Sequence, residues 1–171
     1  MKIKFAQRRS IEQVEESAVL APKFDAQGLI PVITTDVESG EVLMQGYMNA
    51  EALCQTIATG EAHYYSRSRR VLWHKGATSG LVQQVAQLLI DDDQDCLWMR
   101  VRVAGAGASC HVGYRSCFYR EIPLGDAGGT TKLATGDPAD VEAIVLRFTE
   151  SAKIFDPQIV YGGDAVNPTR L

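Results

Sequence analysis

The sequence lacks the features that mark membrane, secreted and disordered proteins. No apolar run approaches the roughly 20 residues that a helix needs to span a bilayer, and the N-terminal stretch carries acidic residues rather than a secretory hydrophobic segment. Four cysteines in 171 residues do not suggest a disulfide framework. With 46% hydrophobic and 22% charged residues, the composition is that of one globular domain. We expect a cytoplasmic protein.

The chain also has no excess of positive charge. Its formal net charge is −4, so its overall field does not attract nucleic acid. An anionic ligand would therefore have to be held by a local cluster of cations. In a reducing compartment, each cysteine is expected to be a core residue, a metal ligand or a nucleophile.

Hydrophobic periodicity and turn residues predict strands and helices along most of the chain. Ser10 and Gln13 have capping-box spacing, which predicts a short helix that ends near Pro22. A hairpin is predicted over residues 29–35 and 42–48, with Gly40 at its turn. Further strands are predicted at 62–66, 71–74, 81–90 and 96–103, followed by a loop at 104–109 and a last strand or turn within 112–122.

Two more helices are predicted from caps and apolar spacing. Asn49 caps the first, and Gly60 stops it. Its apolar face is expected to contain Ala50, Leu53, Cys54 and Ile57. Asp137-Pro138 begins the second, whose apolar residues at helical spacing are Val141, Ile144, Val145 and Phe148.

Four aspartates lie within residues 91–95, between two apolar runs. If this segment is extended, Asp91, Asp93 and Asp95 point to one face and Asp92 points to the other. Like charges on one face repel, and a hard divalent cation such as Mg²⁺ or Ca²⁺ removes that cost. A solvated acidic turn is the simpler interpretation of the cluster taken alone. An EF-hand loop is excluded, because the glycine and glutamate that such a loop requires are missing.

A cysteine pair follows in a polar, glycine-rich stretch. Cys110 and Cys117 are seven residues apart, and His111 lies beside the first. Zinc binds thiolate sulfur and imidazole nitrogen, but two thiols do not complete a site, and the spacing is not a zinc-finger pattern. Structural cysteines and a nucleophilic cysteine stay open as alternatives.

Cations, hydroxyl groups and aromatic rings are concentrated between residues 63 and 80. Arginines and a lysine among hydroxyl groups, with glycines that let the backbone approach, suit phosphate binding. Tyr64, Tyr65 and Trp73 are candidates to stack on a base. The same composition would serve single-stranded nucleic acid, and a basic surface strand with a tight turn is the structural alternative. The candidate substrate ligands in this stretch are Arg67, Arg69, Trp73, Lys75, Thr78 and Ser79.

Taken together, five stretches of the chain resemble the phosphoribosyl-AMP cyclohydrolase family. They are 43–49 (LMQGYMN), 60–69 (GEAHYYSRSR), 72–80 (LWHKGATSG), 91–95 (DDDQD) and 109–120 (SCHVGYRSCFYR). The resemblance covers about residues 28–121 and divides the chain into an N-terminal helical extension (1–27), a catalytic core (28–122) and a linker, helix and tail (123–171). The tail is too short for the pyrophosphatase domain that some members carry, so we expect one activity.

The resemblance implies an α+β fold with a twisted, mostly antiparallel sheet, a few flanking helices and an intimate homodimer with shared active sites. It implies hydrolysis of the N1–C6 bond of 1-(5-phosphoribosyl)-AMP to the phosphoribosyl-formimino carboxamide ribotide, the third step of histidine biosynthesis. It also implies Zn²⁺ and Mg²⁺ in each subunit. By position, Asp91, Asp93 and Asp95 match the magnesium ligands, and Cys110 and Cys117 match two zinc ligands.

One position departs from the family pattern. The family has a cysteine between the first two aspartates, which supplies the third zinc ligand from the partner subunit, whereas this chain has Asp92. We expect the Asp92 carboxylate to replace that thiolate, since zinc tolerates oxygen ligands. Cys96 is the alternative, but it lies ~13 Å farther along an extended strand.

The implied reaction needs an activated water and a proton shuttle. Zinc lowers the pKa of a bound water. His111, beside Cys110, is the first candidate for the shuttle, and His74 is the second. The candidates for the two phosphate groups are Arg67, Arg69, Lys75 and Arg115.

Two other functions are weighed as alternatives. A zinc-dependent purine deaminase-type hydrolase commonly shows His-x-Glu and Pro-Cys-x-x-Cys, and neither occurs here. A zinc-stabilised RNA-binding module would use Tyr64, Tyr65 and the arginines, but the net negative charge counts against it. We therefore expect a small nucleotide as the ligand, with no nucleic acid and no membrane as partners.

Overall fold

A computed structural model describes residues 3–124, 129–133 and 141–162 and has an α+β fold. In chain order its elements are α1 (Ile11–Glu16), β1 (Leu29–Asp36), β2 (Val42–Asn49), α2 (Ala50–Thr59), β3 (His63–Ser66), β4 (Val71–His74), β5 (Gln83–Ile90), β6 (Leu97–Val103), β7 (Arg120–Glu121), β8 (Thr130–Leu133), β9 (Val141–Ile144), β10 (Arg147–Phe148) and α3 (Pro157–Tyr161). Of the helices in these described ranges, none has the length and apolar character of a membrane span.

A mixed four-stranded sheet, in the order β2-β1-β6-β5, forms the centre of the fold. The β1–β2 and β5–β6 pairs are antiparallel, and the β1–β6 pair is parallel. The expected α+β class is therefore confirmed, with a sheet that is mixed but antiparallel in most of its pairs. Because β5 and β6 are joined by a short turn, residues 91–96 lie at one end of this sheet. The loop that follows β6 lies at the other end.

Strand alternation places the core on one face of the sheet. Ile30, Val32, Leu97 and Met99 are buried, whereas their neighbours Ile33 and Trp98 are exposed. Helix α2 and the β3–β4 hairpin cover the buried face, since their side chains belong to the same cluster. The other members of that cluster include Leu43, Met48, Leu53, Tyr64 and Val101.

Helix α2 begins and ends as predicted but buries a different face. The Asn49 side chain accepts a hydrogen bond from the Ala52 amide at 2.8 Å, and Gly60 ends the helix with a left-handed φ of 71°. The buried residues are Ala52, Leu53 and Thr56, while Ala50 and Ile57 are exposed and Cys54 is half-buried. Thr56 is tolerated inside because its hydroxyl accepts a bond from the His63 amide at 3.0 Å.

The N-terminal helix is shorter than expected. Ser10 caps it, and its hydroxyl accepts a bond from the Gln13 amide at 3.1 Å, but the helix ends at Glu16 rather than near Pro22. The chain then continues in an extended conformation, because Ala21 and Pro22 are buried and Lys23 bonds the Gln94 carbonyl at 2.7 Å. Tertiary contacts with residues 91–96 end the helix.

The predicted C-terminal helix is wrong. Asp137-Pro138 lies outside the described residues, and of the apolar positions after it Val141 and Ile144 lie in β9, Val145 follows β9, and Phe148 lies in β10. Strand β9 pairs with β8, and β10 pairs with β7. Apolar residues spaced by three and four also suit short strands, and β-branched residues favour strand pairing.

Candidate active site

Residues 91–96, here called the acidic turn, bring three carboxylates together. The segment is not extended as expected. The amides of Asp95 and Cys96 both donate to Asp91 Oδ1 at 2.9 Å, and Gln94 has a left-handed φ of 57°. Ligand atoms of Asp91, Asp93 and Asp95 nevertheless lie within 4.8 Å of one another, and Asp92 is exposed. A turn therefore produces the grouping that strand alternation was expected to produce.

A lysine from the N-terminal segment (residues 3–28) partly neutralises the acidic turn. Lys23 Nζ lies 2.9 Å from Asp95 Oδ2 and 3.6 Å from Asp93 Oδ2. The hydrogen bond from Lys23 lowers the pKa of Asp95, so this carboxylate stays ionised. Arg8 also donates to the Asp93 carbonyl at 2.9 Å. The acidic turn therefore has cationic partners from a distant part of the chain.

Gln94 is the buried anchor of the acidic turn. Its Oε1 accepts a bond from the Ala21 amide at 2.8 Å, and its Nε2 donates to the carbonyls of Val14 and Val19 at 2.9 and 3.1 Å. The side chain thus connects the turn to the N-terminal segment. This role was not predicted from the sequence. The available signal was that Gln94 is uncharged between two aspartates, which is compatible with burial.

Residues 109–117, here called the cysteine loop, place two thiols in contact. Cys110 is buried and Cys117 is exposed. A hydrogen bond donated by the Cys117 thiol lowers the pKa of Cys110 to about 6, whereas the same bond raises the pKa of Cys117. One thiolate therefore forms easily, with a second sulfur beside it. Such a pair is a partial ligand set for a soft cation.

Lys75 supplies the positive charge next to this pair. Its side chain is buried, and its Nζ donates to the Ser109 carbonyl at 2.7 Å. Its charge favours the thiolate of Cys110 and of Cys117. The burial and direction of Lys75 suit thiolate stabilisation better than the phosphate contact expected from the sequence.

A chain of buried hydrogen bonds fixes the start of the cysteine loop. Thr34 Oγ1 donates to the Tyr64 hydroxyl at 2.8 Å, which donates to Gln83 Oε1 at 2.7 Å. Gln83 Nε2 then donates to Ser109 Oγ at 3.1 Å. Tyr64 is only 1% exposed, so the expectation that it stacks on a base is wrong. Its ring and hydroxyl instead support the loop.

His74 lies beside a carboxylate that sequence reasoning did not select. Its Nε2 is 2.8 Å from Glu61 Oε2, although the angle is not that of an aligned hydrogen bond. Its ring stacks on His63 with centroids 4.5 Å apart. This half-buried imidazole is therefore held in one orientation. His111, the other candidate shuttle, is exposed beside Cys110.

The arginines in the turn between β3 and β4 are exposed. Arg67 lies 4.0 Å from the centroid of the Tyr47 ring, and Arg69 lies 5.8 Å from that of Trp73. The next turn carries Thr78, which is exposed, and Ser79, which is half-buried. That turn is narrow, because a Cβ on Gly76 would lie 2.3 Å from the Leu81 carbonyl carbon.

Arg115 is bound to other protein groups. Its Nε donates to Glu41 Oε2 at 2.7 Å, its Nη2 lies 3.2 Å from Asp36 Oδ2, and its Nη1 donates to the Gly107 carbonyl at 3.2 Å. These contacts connect the cysteine loop to the β1–β2 hairpin. Each guanidinium nitrogen thus has a protein partner, so no phosphate is needed to explain the position of this side chain.

The acidic turn and the cysteine loop are separated within one chain. Strand β6 runs between them, and its seven residues span ~20 Å. Within the described ranges, Asp91, Asp93 and Asp95 form the one group of three such side chains that is close enough to hold an ion. Within the described residues, Cys110 and Cys117 therefore have no third His, Cys, Asp or Glu ligand close enough to complete a three-ligand metal site.

Comparison with known proteins decides the family. A family model described as phosphoribosyl-AMP cyclohydrolase matches residues 44–119. A phosphoribosyl-AMP cyclohydrolase of Rhodopseudomonas palustris is 50% identical over 151 residues, covering 88% of this chain and 90% of the relative. The chain belongs to the phosphoribosyl-AMP cyclohydrolase family. Two further relatives carry the same name. The one from Agrobacterium fabrum is 45% identical over 150 residues, covering 88% of this chain and 90% of the relative. The one from Brucella abortus is 51% identical over 135 residues, covering 79% of this chain and 96% of the relative.

The phosphoribosyl-AMP cyclohydrolase match contains the acidic turn and the cysteine loop but not all the residues that hold them. Lys23 and Glu41 lie outside residues 44–119. Glu61 lies inside a stretch that resembles the family, so its position was available as a signal. Gln83 carried no such signal, because its role depends on a contact across 26 residues.

Proposed function

We propose that this chain hydrolyses the N1–C6 bond of the adenine ring in 1-(5-phosphoribosyl)-AMP, in the third step of histidine biosynthesis, in the cytoplasm. Relatives that carry the name of this activity are about half identical over most of the chain. The observation that carries the proposal is the contact between Cys110 and Cys117 beside the buried cation Lys75. Burial of Tyr64 counts against the RNA-binding alternative.

The donor atoms of the cysteine loop fit zinc. Cys110 and Cys117 would hold Zn²⁺ as soft thiolate ligands, and the lowered pKa of Cys110 favours the anionic form. When bound, zinc supplies Lewis acidity that activates a water for addition to an electrophilic ring carbon. The positive charge of Lys75 would offset the repulsion between the two thiolates.

The donor atoms of the acidic turn fit a harder cation. Asp91, Asp93 and Asp95 would hold Mg²⁺, which prefers carboxylate oxygen. Lys23 shares two of these carboxylates, so it would have to move aside or share them with the ion.

A homodimer would complete the site. Zinc in catalytic sites takes three protein ligands, and the cysteine loop offers two. Because the acidic turn lies at the other end of β6, the third ligand is best supplied by a second copy of the chain. On the sheet face away from the core, Ile33 pairs with Trp98, and both side chains are about two-fifths exposed. This apolar face would be covered by that second copy.

Asp92 is the proposed third zinc ligand. The acidic turn folds back on itself, so the expected ~13 Å separation along an extended strand does not apply. Cys96 is half-buried, and burial together with the adjacent aspartates raises the pKa of its thiol. Asp92 is exposed and therefore accessible to a second copy of the chain.

The remaining residues would bind the nucleotide and move protons. Trp73 is half-buried and offers a ring for the base, while Arg67 and Arg69 can reach phosphate groups from the exposed turn. Thr78 and Ser79 would add hydroxyl contacts. We propose His111 or His74 as the proton shuttle, with Glu61 orienting His74. Arg115 is reassigned to holding the cysteine loop.

The test of this function compares cysteine variants. Cys110→Ser and Cys117→Ser are expected to lower zinc content and to slow ring opening, followed by ultraviolet absorbance, by at least about 100-fold. Cys54→Ser, on helix α2, is the matched control and should behave like the parent. Full activity in both loop variants would exclude the zinc mechanism.

A separate test addresses the acidic turn. Asp93→Asn should reduce activity and raise the magnesium concentration needed for half-maximal rate. Glu38→Gln removes one carboxylate from an exposed position and serves as the control. An unchanged magnesium requirement in Asp93→Asn would remove the acidic turn from the reaction.

A further inference from the structure

One carboxylate of the C-terminal tail (residues 149–162) contacts the cysteine loop directly. Glu150 Oε2 accepts a hydrogen bond from the Arg115 amide at 2.8 Å, and Oε1 accepts one from the Ser116 amide at 3.0 Å. These amides directly precede Cys117. The two oxygens of one side chain therefore hold the backbone between the two cysteines.

This contact depends on the carboxylate form of the side chain. Two adjacent N–H donors match the two oxygens of a carboxylate, and charge-assisted bonds of this kind are stronger than neutral ones. A glutamine at this position has one oxygen, and its amide group would face the other N–H as a second donor. The substitution Glu150→Gln therefore keeps the size of the side chain and removes the match.

The rest of the tail holds Glu150 in place. The Thr149 amide donates to the Tyr119 carbonyl at 2.9 Å, and the Ile154 amide donates to the Gly113 carbonyl at 2.7 Å. Contact at Gly113 is so close that a Cβ there would lie 2.3 Å from the Phe155 carbonyl oxygen. The tail is thus fixed on both sides of Glu150, to Tyr119 just after the cysteine loop and to Gly113 within it.

We propose that Glu150 is a positioning residue that sets the separation of Cys110 and Cys117. The Cys110 amide is fixed by the Tyr114 carbonyl at 3.1 Å, and the Cys117 amide is fixed by the Leu43 carbonyl at 2.8 Å. Glu150 fixes the peptide groups between these two points. This inference rests on the proposed function, because the pair is positioned for the metal of that reaction.

Preorganised ligands bind a metal more tightly than mobile ligands, because less conformational freedom is lost on binding. Loss of a group that orients metal ligands typically lowers affinity about 10–100-fold. The expected effect of Glu150→Gln is about a tenfold loss of metal affinity together with a lower kcat. KM should change little, since Glu150 bonds the loop rather than the nucleotide.

The experiment uses the full chain with Co²⁺ in place of zinc. The thiolate-to-cobalt absorption band reports the sulfur geometry, and competition with a chelator gives the affinity. Glu150→Gln should weaken the affinity and change the band, whereas Glu38→Gln, which removes the same charge from an exposed site, should do neither. Steady-state kinetics of both variants separate kcat from KM.

The outcomes separate this inference from the proposed function. Folded Glu150→Gln with the parent's cobalt band, affinity and kcat would overturn the positioning role, even if the variant is less stable. If Glu150→Gln does not fold, Glu150→Asp replaces it, since its shorter side chain cannot reach both amides equally. Parent-like affinity and kcat in Glu150→Asp would then overturn the role. Ring opening that survives Cys110→Ser and Cys117→Ser would instead exclude the zinc site of the proposed function, on which this inference rests.

Discussion

The acidic turn and the cysteine loop both hold side chains of metal-ligand type together, but in different charge environments. Both hold these side chains on irregular backbone, one before β6 and the other after it, and each is fastened by a different segment from outside residues 28–122. The acidic turn concentrates negative charge at the surface, with Lys23 as its side-chain counter-ion. The cysteine loop lies beside the buried cation Lys75, and Arg115 connects it to the β1–β2 hairpin.

The anchoring groups differ in the same way. A neutral amide, Gln94, holds the acidic turn, whereas a carboxylate, Glu150, holds the cysteine loop. A charged anchor beside three aspartates would add repulsion. The carboxylate of Glu150 instead accepts bonds from two backbone amides, although its charge adds to the rise in the pKa of Cys117 that the bond to Cys110 causes. The comparison teaches that each anchor matches the backbone groups that face it: an amide meets an N–H and two carbonyls, and a carboxylate meets two N–H groups.

The largest effect is expected from Gln94→Ala. This change removes three hydrogen bonds, two of them buried, and leaves the Val14 and Val19 carbonyls without this partner. We expect about 2–4 kcal/mol of lost unfolding free energy, measured in urea, and faster tryptic cleavage in the N-terminal segment. Gln84→Ala, at an exposed strand position, is the control. Equal stability of the two variants would contradict the anchor.

Lys75→Met should weaken the electrostatic support of the cysteine loop. Removal of the buried charge raises the pKa of Cys110 above its value of about 6 in metal-free protein, because the thiolate loses a favourable interaction. Thiolate absorbance followed against pH measures this shift, and ring opening should slow by about tenfold. Arg70→Met, on the exposed hairpin turn, is the control. An unchanged titration in Lys75→Met would mean that the lysine does not act on the sulfur pair.

Asp36→Asn should weaken the hairpin that supports the cysteine loop in a pH-dependent way. Bonding from the Ser39 amide, assisted by Arg115, lowers the pKa of Asp36 from its usual 3.8. The stabilisation is therefore complete above that value and disappears as pH falls through the lowered pKa. We expect about 1–2 kcal/mol lost near neutral pH and a shrinking difference from the parent below pH ~4, by thermal unfolding at several pH values. A stability difference between Asp36→Asn and the parent that grows as pH falls would contradict the lowered pKa of Asp36.

The smallest effect is expected from Lys23→Met. The ammonium group shares Asp93 and Asp95 with any bound cation, so its loss should tighten Mn²⁺ binding at the acidic turn by a few-fold. Binding calorimetry at low salt measures this change, and Lys4→Met is the control. Weaker binding in Lys23→Met would show that the lysine assists the ion instead of competing with it.

Local patterns predicted most of the central fold. The β1–β2 hairpin, helix α2 and the strands β3 and β4 were all predicted, because alternation, the Asn49 cap and the Gly60 stop act over a few residues. The C-terminal helix was wrong because residues 141–148 satisfy two periodicities, and pairing with β7 and β8 decides between them.

The candidate site was predicted in its ligand-type residues but not in their supports. Asp91, Asp93 and Asp95 were grouped for the wrong local reason, since a turn and not a strand brings them together. Gln83 and Glu150 act across 26 and 35 residues, a distance at which one sequence carries no periodic signal. Arg115 was assigned to a phosphate from the sequence because its actual partners, Asp36 and Glu41, lie far away in the chain, in the β1–β2 hairpin.

The position of the two loops at opposite ends of β6 has a genetic consequence. If sites form between subunits, a chain defective at Cys110 and another defective at Asp92 each assemble inactive dimers alone. Mixed dimers would contain one site built from two intact halves and one built from two damaged halves. Random mixing of the two chains should therefore restore about a quarter of the parental rate. The two lesions would complement each other although they lie in the same gene.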